Sequence, residues 1–432
     1  MSQNSFYFIG QAPLSKSLLN RSLIIKSWYP DFLIHGSSLC EDVLVMDRAI
    51  KNLGQKKEFN CGFSGTAFRF LALRLSRQKG EFILKADTAL LKRPLEEVSS
   101  LLAQLSVSVQ KTKQAYMISS EAWKLQGDCV YVPSQITSQW ASALLLNSWN
   151  LDQDLYFVFS SSAVSYSYFK MTLDFVRKLG LTVHQEGSDF FIPKGQNLKI
   201  KEYHPEQDKS CLFALACFSA LKGQSIFLNW EKESLQADHI FPDILKSMGV
   251  TVELRRDQNS KLFDSSHKPI FQAFSKNDSE NKQIDKNQSP LTYHSRQSRD
   301  FQVNPIKSQS QLIISKCSDL KPLDINLKDQ PDLFPMLAIL CAKAEGLSVL
   351  KGVSHLAFKE SNRLEKLKEV LEKCGIAVKI QKDDFLIYGQ KNWSHKIIPF
   401  DFSAEEDHRL VMVAELIASL GIPIHLKGKS AV

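Results

Sequence analysis

Phe358 to Ile380 reads FKESNRLEKLKEVLEKCGIAVKI, and this stretch decides the class of fold. Leu364, Leu367, Leu371 and Cys374 recur at helical spacing. Asn362 and Glu365 stand at the spacing of a capping box, which predicts a helix beginning near Ser361 or Asn362. Gly375 closes the stripe, because glycine takes a positive φ without steric cost, and the alternation after it predicts a half-buried strand. The same helix, small residue and strand recur at 101–110 (LLAQLSVSVQ), 175–185 (FVRKLGLTVHQ) and 244–254 (ILKSMGVTVEL), and more weakly at Leu53-Gly54 and Leu420-Gly421. Their spacing, about 50 to 75 residues except where an insertion intervenes, is too long and uneven for a solenoid. It predicts an α/β architecture with internal pseudo-symmetry.

A chain of 432 residues implies two or three domains of ordinary size. Hydrophobic residues at 44% and charged residues at 23% describe a globular protein. The net charge of +8, from 54 basic and 46 acidic residues, suits a small anionic substrate as well as a nucleic acid. A nucleic-acid binder is expected to interleave aromatics with a basic stripe, and the chain shows no such stripe. Eight cysteines include no C-x-x-C pair, which argues against zinc ribbons and thioredoxin-like chemistry and favours a reducing cytoplasm. The N-terminal residues lack a basic segment followed by an apolar one, and no run of 18 apolar residues occurs, so neither secretion nor a membrane span is expected. Residues 257–309 are rich in Ser, Asn, Gln, Lys and Asp and predict a largely disordered insertion.

Polar helix starts carry the chemical signal. Lys359, Glu360 and Arg363 cluster before the 363 helix; Ser15-Lys16-Ser17 with Arg21 opens LIIKSW; Ser64-Gly65-Thr66 opens FLALRL, with Thr66 as a candidate cap. Thr137-Ser138-Gln139, Pro331-Asp332 and Asp407-His408-Arg409 precede three further apolar helices. Capping accounts for the Ser, Thr and Asp residues but not for the Lys and Arg residues. Cations at helix N-termini oppose the macrodipole, a local cost that an anionic ligand offsets.

In order along the chain, SKSLLNR, SGTAFR, KRPL, TSQWASALLL, the Ser165-x-x-Tyr168-x-x-x-Thr172 spacing, PDLFP, KESNRL, DHRL and a final GKS resemble the motifs of the EPSP synthase (3-phosphoshikimate 1-carboxyvinyltransferase) family. The resemblance implies transfer of the enolpyruvyl group of phosphoenolpyruvate to the 5-hydroxyl of shikimate 3-phosphate with release of phosphate, a step of aromatic amino-acid biosynthesis. It implies an α/β fold of two similar domains of repeated β-α-β-α-β-β units, an inside-out α/β barrel with the active site in the interdomain cleft. Residues 1–14 plus 207–432 would form one domain and 15–206 the other. Carried over by position, Lys16, Gly65, Arg93, Gln139, Arg363, Arg409 and Lys429 are the expected phosphoenolpyruvate site. The expected shikimate 3-phosphate site is Lys16, Ser17, Arg21, Thr137, Ser138, Gln139, Ser165, Tyr168, Asp332, His355 and Lys359. Asp332 is the expected general base, and Glu360 and Lys16 the expected proton carriers. The resemblance implies no metal, no organic cofactor, no membrane partner and a monomer.

The chain departs from the family pattern at several positions. Leu14 stands for a glycine, Phe63 for an asparagine, Tyr166-Ser167 for a basic residue and proline, and His355 for a ligand-contacting asparagine, and the sequence after Lys429 is short. Two alternatives stay open beside the main reading. One is UDP-N-acetylglucosamine enolpyruvyl transferase, whose first motif has Lys-Asn where this chain has Lys16-Ser17. The other is a non-catalytic relative that keeps the cleft.

Overall fold

The computed structural model describes residues 5–256, 310–393, 397–405 and 407–427. The insertion at 257–309 and Lys429 lie outside the described residues. Each predicted helix-to-strand unit is present, and the turn residue explains why. Gly180 ends the Tyr166–Leu179 helix at φ 108°, and a Cβ there would sit 2.6 Å from Lys199, so only glycine fits. Gly375, at φ 80°, serves the Arg363–Lys373 helix and the Ala377–Gln381 strand in the same way. At 101–110 the left-handed position is Ser106, φ 60°, whose hydroxyl donates to the Lys124 carbonyl at 2.8 Å.

The units form β-α-β-α-β-β sheets. Strands Glu58–Asn60 and Lys79–Lys85 run parallel, and Ala115–Glu121 and Ser108–Lys111 add antiparallel strands. The order repeats with 130–132, 155–159, 189–192 and 184–186, and again with 324–326, 346–351, 384–389 and 377–381. A fourth sheet takes Phe6–Gly10 from the start of the chain and pairs it in parallel with Gly223–Phe227, followed by Ser310–Ser315 and Val252–Arg256. Two parallel pairs complete the described sheets: Leu33–Ile34 with Glu202–Tyr203, and Phe400–Ser403 with Ile424–Lys427.

Six helices are buried on nearly all sides: Lys16–Trp28, Gly65–Ser76 and Gln139–Leu146 in one cluster, and Lys209–Lys222, Phe334–Lys343 and His408–Ser419 in another. Helices apolar all round belong inside a core. By contrast Arg363–Lys373 buries one face only, through Leu364, Leu367, Val370 and Leu371. The buried apolar side chains fall into two separate clusters, one spanning Leu14 to Tyr203, the other Phe8, Ala12 and Leu212 to Ile417. Two adjacent strands of chain join them. Leu14 bridges Gln207, the Ser15 amide donates to the Glu206 carbonyl at 2.8 Å, and the Asp208 amide donates to the Pro13 carbonyl at 2.8 Å. All eight cysteines are free, and no described helix is long and apolar enough to cross a membrane.

Candidate active site

The N-termini of these helices converge on one cleft, and the caps show how each is held open to it. Ser15 Oγ accepts the Leu18 amide at 3.5 Å, Ser64 Oγ the Ala67 amide at 3.2 Å, and Asp407 Oδ1 the Arg409 amide at 3.0 Å. Asn362 Oδ1 accepts the Glu365 amide at 3.2 Å, as the capping-box spacing predicts. Two expectations are corrected. Ser64, not Thr66, caps its helix, and Thr66 instead accepts from Gln139 Nε2 at 3.1 Å. The helix after Pro331-Asp332 begins at Phe334, which leaves Asp332 ahead of the first turn.

Among the described residues, every predicted site residue except His355 lines the cleft, which encloses about 970 Å³ including its part open to solvent. Its basic side chains are Lys16, Arg21, Arg69, Arg93, Lys359, Arg363 and Arg409, and its carboxylates are Asp42, Asp332 and Glu360. Positive charge therefore exceeds negative in a recess rimmed by helix N-termini, an arrangement that attracts anions.

One sector is a carboxylate and guanidinium lattice. Arg363 is 1% exposed; its Nε donates to Asp407 Oδ2 at 2.8 Å, Nη1 to Asp332 Oδ1 at 3.2 Å and Nη2 to Glu360 Oε2 at 2.7 Å. Burial disfavours its charge, but Asp407, Glu360 and Asp332 outweigh that and raise its pKa above the usual range. Asp332 Oδ2 lies 2.6 Å from Arg409 Nη2 and accepts from the Tyr168 hydroxyl at 2.9 Å. Burial would raise the Asp332 carboxyl, yet Arg409 and Arg363 hold it far below the ordinary carboxylate range. Glu360 is depressed in the same way, with Arg363, Arg93 and Lys16 overriding burial.

A second sector surrounds Gly65. A Cβ there would lie 2.8 Å from Arg69 Nη1 and 3.3 Å from Arg93 Nη1, so glycine is what lets two guanidinium groups approach the helix N-terminus. Arg69 Nη1 donates to Gln139 Oε1 at 2.9 Å and to the Gly65 carbonyl at 3.3 Å. Burial, helped by Arg93, lowers the Arg69 pKa to about 10. Two guanidinium groups drawn together at a helix N-terminus, with Glu360 and Glu97 as the carboxylates that act on them, form a cradle suited to an anion.

The third sector brings the two halves together. Arg21 donates to Thr172 Oγ1 at 2.7 Å and to the Ser17 and Tyr168 carbonyls at 2.8 and 3.1 Å. Ser138 Oγ donates to the Ser165 carbonyl at 2.8 Å, and Ser165 takes a left-handed conformation, φ 52°. Its amide donates to the Lys328 carbonyl at 3.1 Å, and Ser167 Oγ donates to the Asp329 carbonyl. His355 does not line the cleft but is buried behind it, its Nε2 3.4 Å from Ser165 Oγ. Burial, with Lys359 beside it, drops the His355 pKa to about 3, so it is a neutral ring. Lys359 itself is lowered to about 8 by burial, against the opposing pull of Asp332 and Glu360. Phe63 is exposed and absent from the cleft lining, and Tyr166 accepts from Gln185 Nε2 at 3.2 Å away from it.

Sequence reasoning missed four groups here. Asp42, in the first turn of the Glu41–Lys51 helix, pairs with Lys16 Nζ at 3.1 Å; burial would lower the Lys16 pKa, but Asp42 drives it above the ordinary range. His408 Nε2 lies 3.4 Å from Lys16 Nζ, and burial followed by Lys16 holds the ring neutral. Arg69 stood inside a quoted motif without a role. The last is the Asp208–Lys209 helix start, the sixth inner helix, whose Asp208 and Ser210 line a small recess with Lys16, Tyr168, Asp332 and buried Asp238. Asp42 and Asp208 carry no sequence signal beyond first-turn acidity and capping, whereas Arg69 and His408 stand in the SGTAFR and DHRL motifs. No group of metal-ligating side chains among the described residues lies in the cleft.

The EPSP synthase (3-phosphoshikimate 1-carboxyvinyltransferase) family model matches residues 34–273 and 297–428. A 3-phosphoshikimate 1-carboxyvinyltransferase of Methanocaldococcus jannaschii is 25% identical over 430 residues, spanning 94% of this chain and 87% of the relative. One of Archaeoglobus fulgidus is 24% identical over 428 residues, spanning 95% and 89%. Among solved structures, EPSP synthase from Acinetobacter baumannii superposes with a TM-score of 0.66 at 18% identity, covering 99% of this chain and 93% of the other. The enolpyruvyl transferase NikO from Streptomyces tendae gives 0.61 at 13% identity, covering 98% and 90%. These structural likenesses establish the two-domain enolpyruvyl transferase fold.

Proposed function

The chain belongs to the EPSP synthase family, and from that premise we infer that it is a 3-phosphoshikimate 1-carboxyvinyltransferase. It transfers the enolpyruvyl group of phosphoenolpyruvate to the 5-hydroxyl of shikimate 3-phosphate and releases phosphate. The observation that carries this reading is the excess of cations over carboxylates at converging helix N-termini. Phosphoenolpyruvate brings a carboxylate and a phosphate, and bidentate guanidinium groups with a lysine suit both.

Arg93, Gln139, Arg363, Arg409 and Lys16, around the Gly65 backbone, bind phosphoenolpyruvate in this reading, with Lys429 also assigned there. Arg69 joins them, since it shares the Gly65 cradle and the Gln139 amide. Ser17, Arg21, Thr137, Ser138, Ser165, Tyr168 and Lys359 hold shikimate 3-phosphate, with His355 setting Ser165 from behind. The division of the chain into 1–14 plus 207–432 and 15–206 is supported by the two separate cores.

Proton chemistry follows from the lattice. In the substrate-free cleft Asp332 is a weak base, because Arg363 and Arg409 are spent on it. An arriving phosphoenolpyruvate anion shares those guanidinium groups, and both Asp332 and Glu360 then become more basic. Asp332 takes the proton of the attacking 5-hydroxyl. Glu360 or Lys16 delivers a proton to the methylene carbon, which makes the adjacent carbon electrophilic, and recovers it as phosphate leaves. Such transfers contribute about 10²–10⁴-fold, so orientation and preorganised charge supply most of the acceleration.

The test is to mix purified protein with shikimate 3-phosphate and phosphoenolpyruvate and follow phosphate release. Release with this acceptor is expected; none with it or with UDP-N-acetylglucosamine overturns the enzyme reading. Asp332→Asn is expected to lower kcat by about 10²–10⁴-fold while phosphoenolpyruvate still binds, and an active variant removes Asp332 as base.

A further inference from the structure

Away from the cleft, the short parallel pair Leu33–Ile34 and Glu202–Tyr203 gathers two imidazoles and a carboxylate. Leu33 registers with Glu202 and Ile34 with Tyr203, and the His35 amide donates to the Tyr203 carbonyl at 2.9 Å. Continuing that register sets His35 beside His204. Glu202 and His204 are two apart, so strand alternation sends them to the same face. The two imidazole rings stack with centroids 3.9 Å apart and planes 6° apart, and His35 Nε2 lies 3.0 Å from Glu202 Oε2. One donor atom from each of the three side chains falls within 4.8 Å of the others.

We propose that His35, Glu202 and His204 form a binding site for a divalent first-row transition ion, zinc before the others. Zinc takes imidazole nitrogen at about 2.0–2.1 Å and carboxylate oxygen at about 2.0–2.2 Å, which sets tetrahedral donors roughly 3.3–3.5 Å apart. The His35 to Glu202 separation, 3.0 Å, is slightly inside that spacing. The remaining contraction is on the order of 1 Å, and one imidazole must turn out of the stack so that both ring planes meet at the ion; His35, 39% exposed, and Glu202, 59% exposed, have the torsional reach for it.

The donor set selects the metal. Two imidazoles and one carboxylate favour zinc and its neighbours over magnesium or calcium, which require oxygen ligands. Three protein ligands leave a fourth position for water, and the exposed edge of the strand pair supplies the entry path. The ion would fasten the Leu33–Ile34 strand to the segment that, two residues beyond His204, crosses between the halves through Glu206. None of the three side chains lines the cleft, so the site stands apart from the proposed transfer chemistry.

The full chain, stripped with a chelator, is titrated with zinc chloride by calorimetry, and its thermal midpoint is followed with and without the ion. One zinc per chain and a raised midpoint are expected. His35→Gln and Glu202→Gln should each weaken zinc binding by about ten-fold or more, leaving metal-free turnover unchanged. Anomalous scattering at the zinc edge should place the ion between the three side chains. Absence of binding to the wild-type chain overturns the proposal, as does unchanged affinity in the His35→Gln/Glu202→Gln double variant or an ion lodged on cysteines elsewhere.

Discussion

Lys359 is the residue whose charge is most finely set. Burial brings its pKa down to about 8, so it is protonated at neutral pH and loses its proton just above. A lysine lowered in the folded state binds fewer protons than in the unfolded chain between about pH 8 and 10.5, so it costs stability below that window and the cost is relieved as pH rises through it. Its use to the enzyme runs the other way, because a neutral amine no longer holds a phosphate. The kcat/KM for shikimate 3-phosphate is therefore expected to fall above about pH 8, and Lys359→Arg should move that fall to higher pH. An unmoved alkaline limb would assign it to another group. Asp238 gives a second residue-scale test. Burial, with Asp332 nearby, pushes its carboxyl up to about 7, and Ser210 Oγ donates to it. The folded chain then holds a proton that the unfolded chain has lost between about pH 4 and 7, so stability falls as pH rises across that window and stays reduced above it. Asp238→Asn should be more stable than wild type at pH 8, by on the order of 1–4 kcal/mol, and indistinguishable near pH 4 in urea unfolding. The positions of Lys359, Glu360 and Arg363 were legible as charges at a helix start. Asp238 was not, since a buried aspartate and an exposed one look alike in a sequence.

At the scale of elements, two neighbouring helix starts use similar caps for different ends. Asn362 caps Arg363–Lys373 from an exposed position, while Asp407 caps His408–Ser419, is fully buried and holds Arg363 with both oxygens. Asn362→Ala should cost about 1 kcal/mol in unfolding measurements and leave turnover intact. Asp407→Asn keeps an N-cap oxygen, so capping alone predicts almost no change; loss of the buried charge predicts about 3–5 kcal/mol. The larger loss is expected, partly recovered by phosphoenolpyruvate, whose anion would re-pair Arg363. The contrast also marks what local sequence reveals. Caps, glycine stops and alternating strands predicted the units because their causes lie within a few residues. The choice of inner and outer helices was harder to read: Arg363–Lys373 resembles its neighbours in its first turn, and an inner helix differs by an apolar girdle, as in Gln139–Leu146, Lys209–Lys222 and Phe334–Lys343. Ser64 rather than Thr66 became the cap because the Gln139 amide, distant in sequence, claims the threonine hydroxyl.

For the whole molecule, the decisive geometry is the double crossing between the halves, where Leu14 meets Gln207. Motifs from opposite sides of that crossing share one cleft, so their common order along the chain was readable while contacts such as Tyr168 to Asp332 and Ser165 to His355 were not. Those contacts join residues about 160 to 190 positions apart, and no local pattern encodes them. Residues 257–309 lie in sequence between the Val252–Arg256 and Ser310–Ser315 strands, and Arg256 registers directly opposite Ser310 in the antiparallel ladder. Paired residues of such a ladder lie about 4.5–5.5 Å apart, the gap closed by a two-residue hairpin. Replacing 257–309 with Asn-Gly should therefore preserve the Gly223–Phe227, Ser310–Ser315 and Val252–Arg256 sheet. The described cleft-lining residues all come from outside the replaced stretch. Turnover of shikimate 3-phosphate and phosphoenolpyruvate by the shortened chain is expected within about two-fold of the parent, with an unfolding free energy raised by up to roughly 3 kcal/mol, since each halving of a loop's length saves about 0.6 kcal/mol of closure entropy. A shortened chain that folds, by circular dichroism, but loses phosphate release would give the stretch a part in the reaction. One that fails to fold would show that the hairpin register between Arg256 and Ser310 is maintained by more than the two strands themselves.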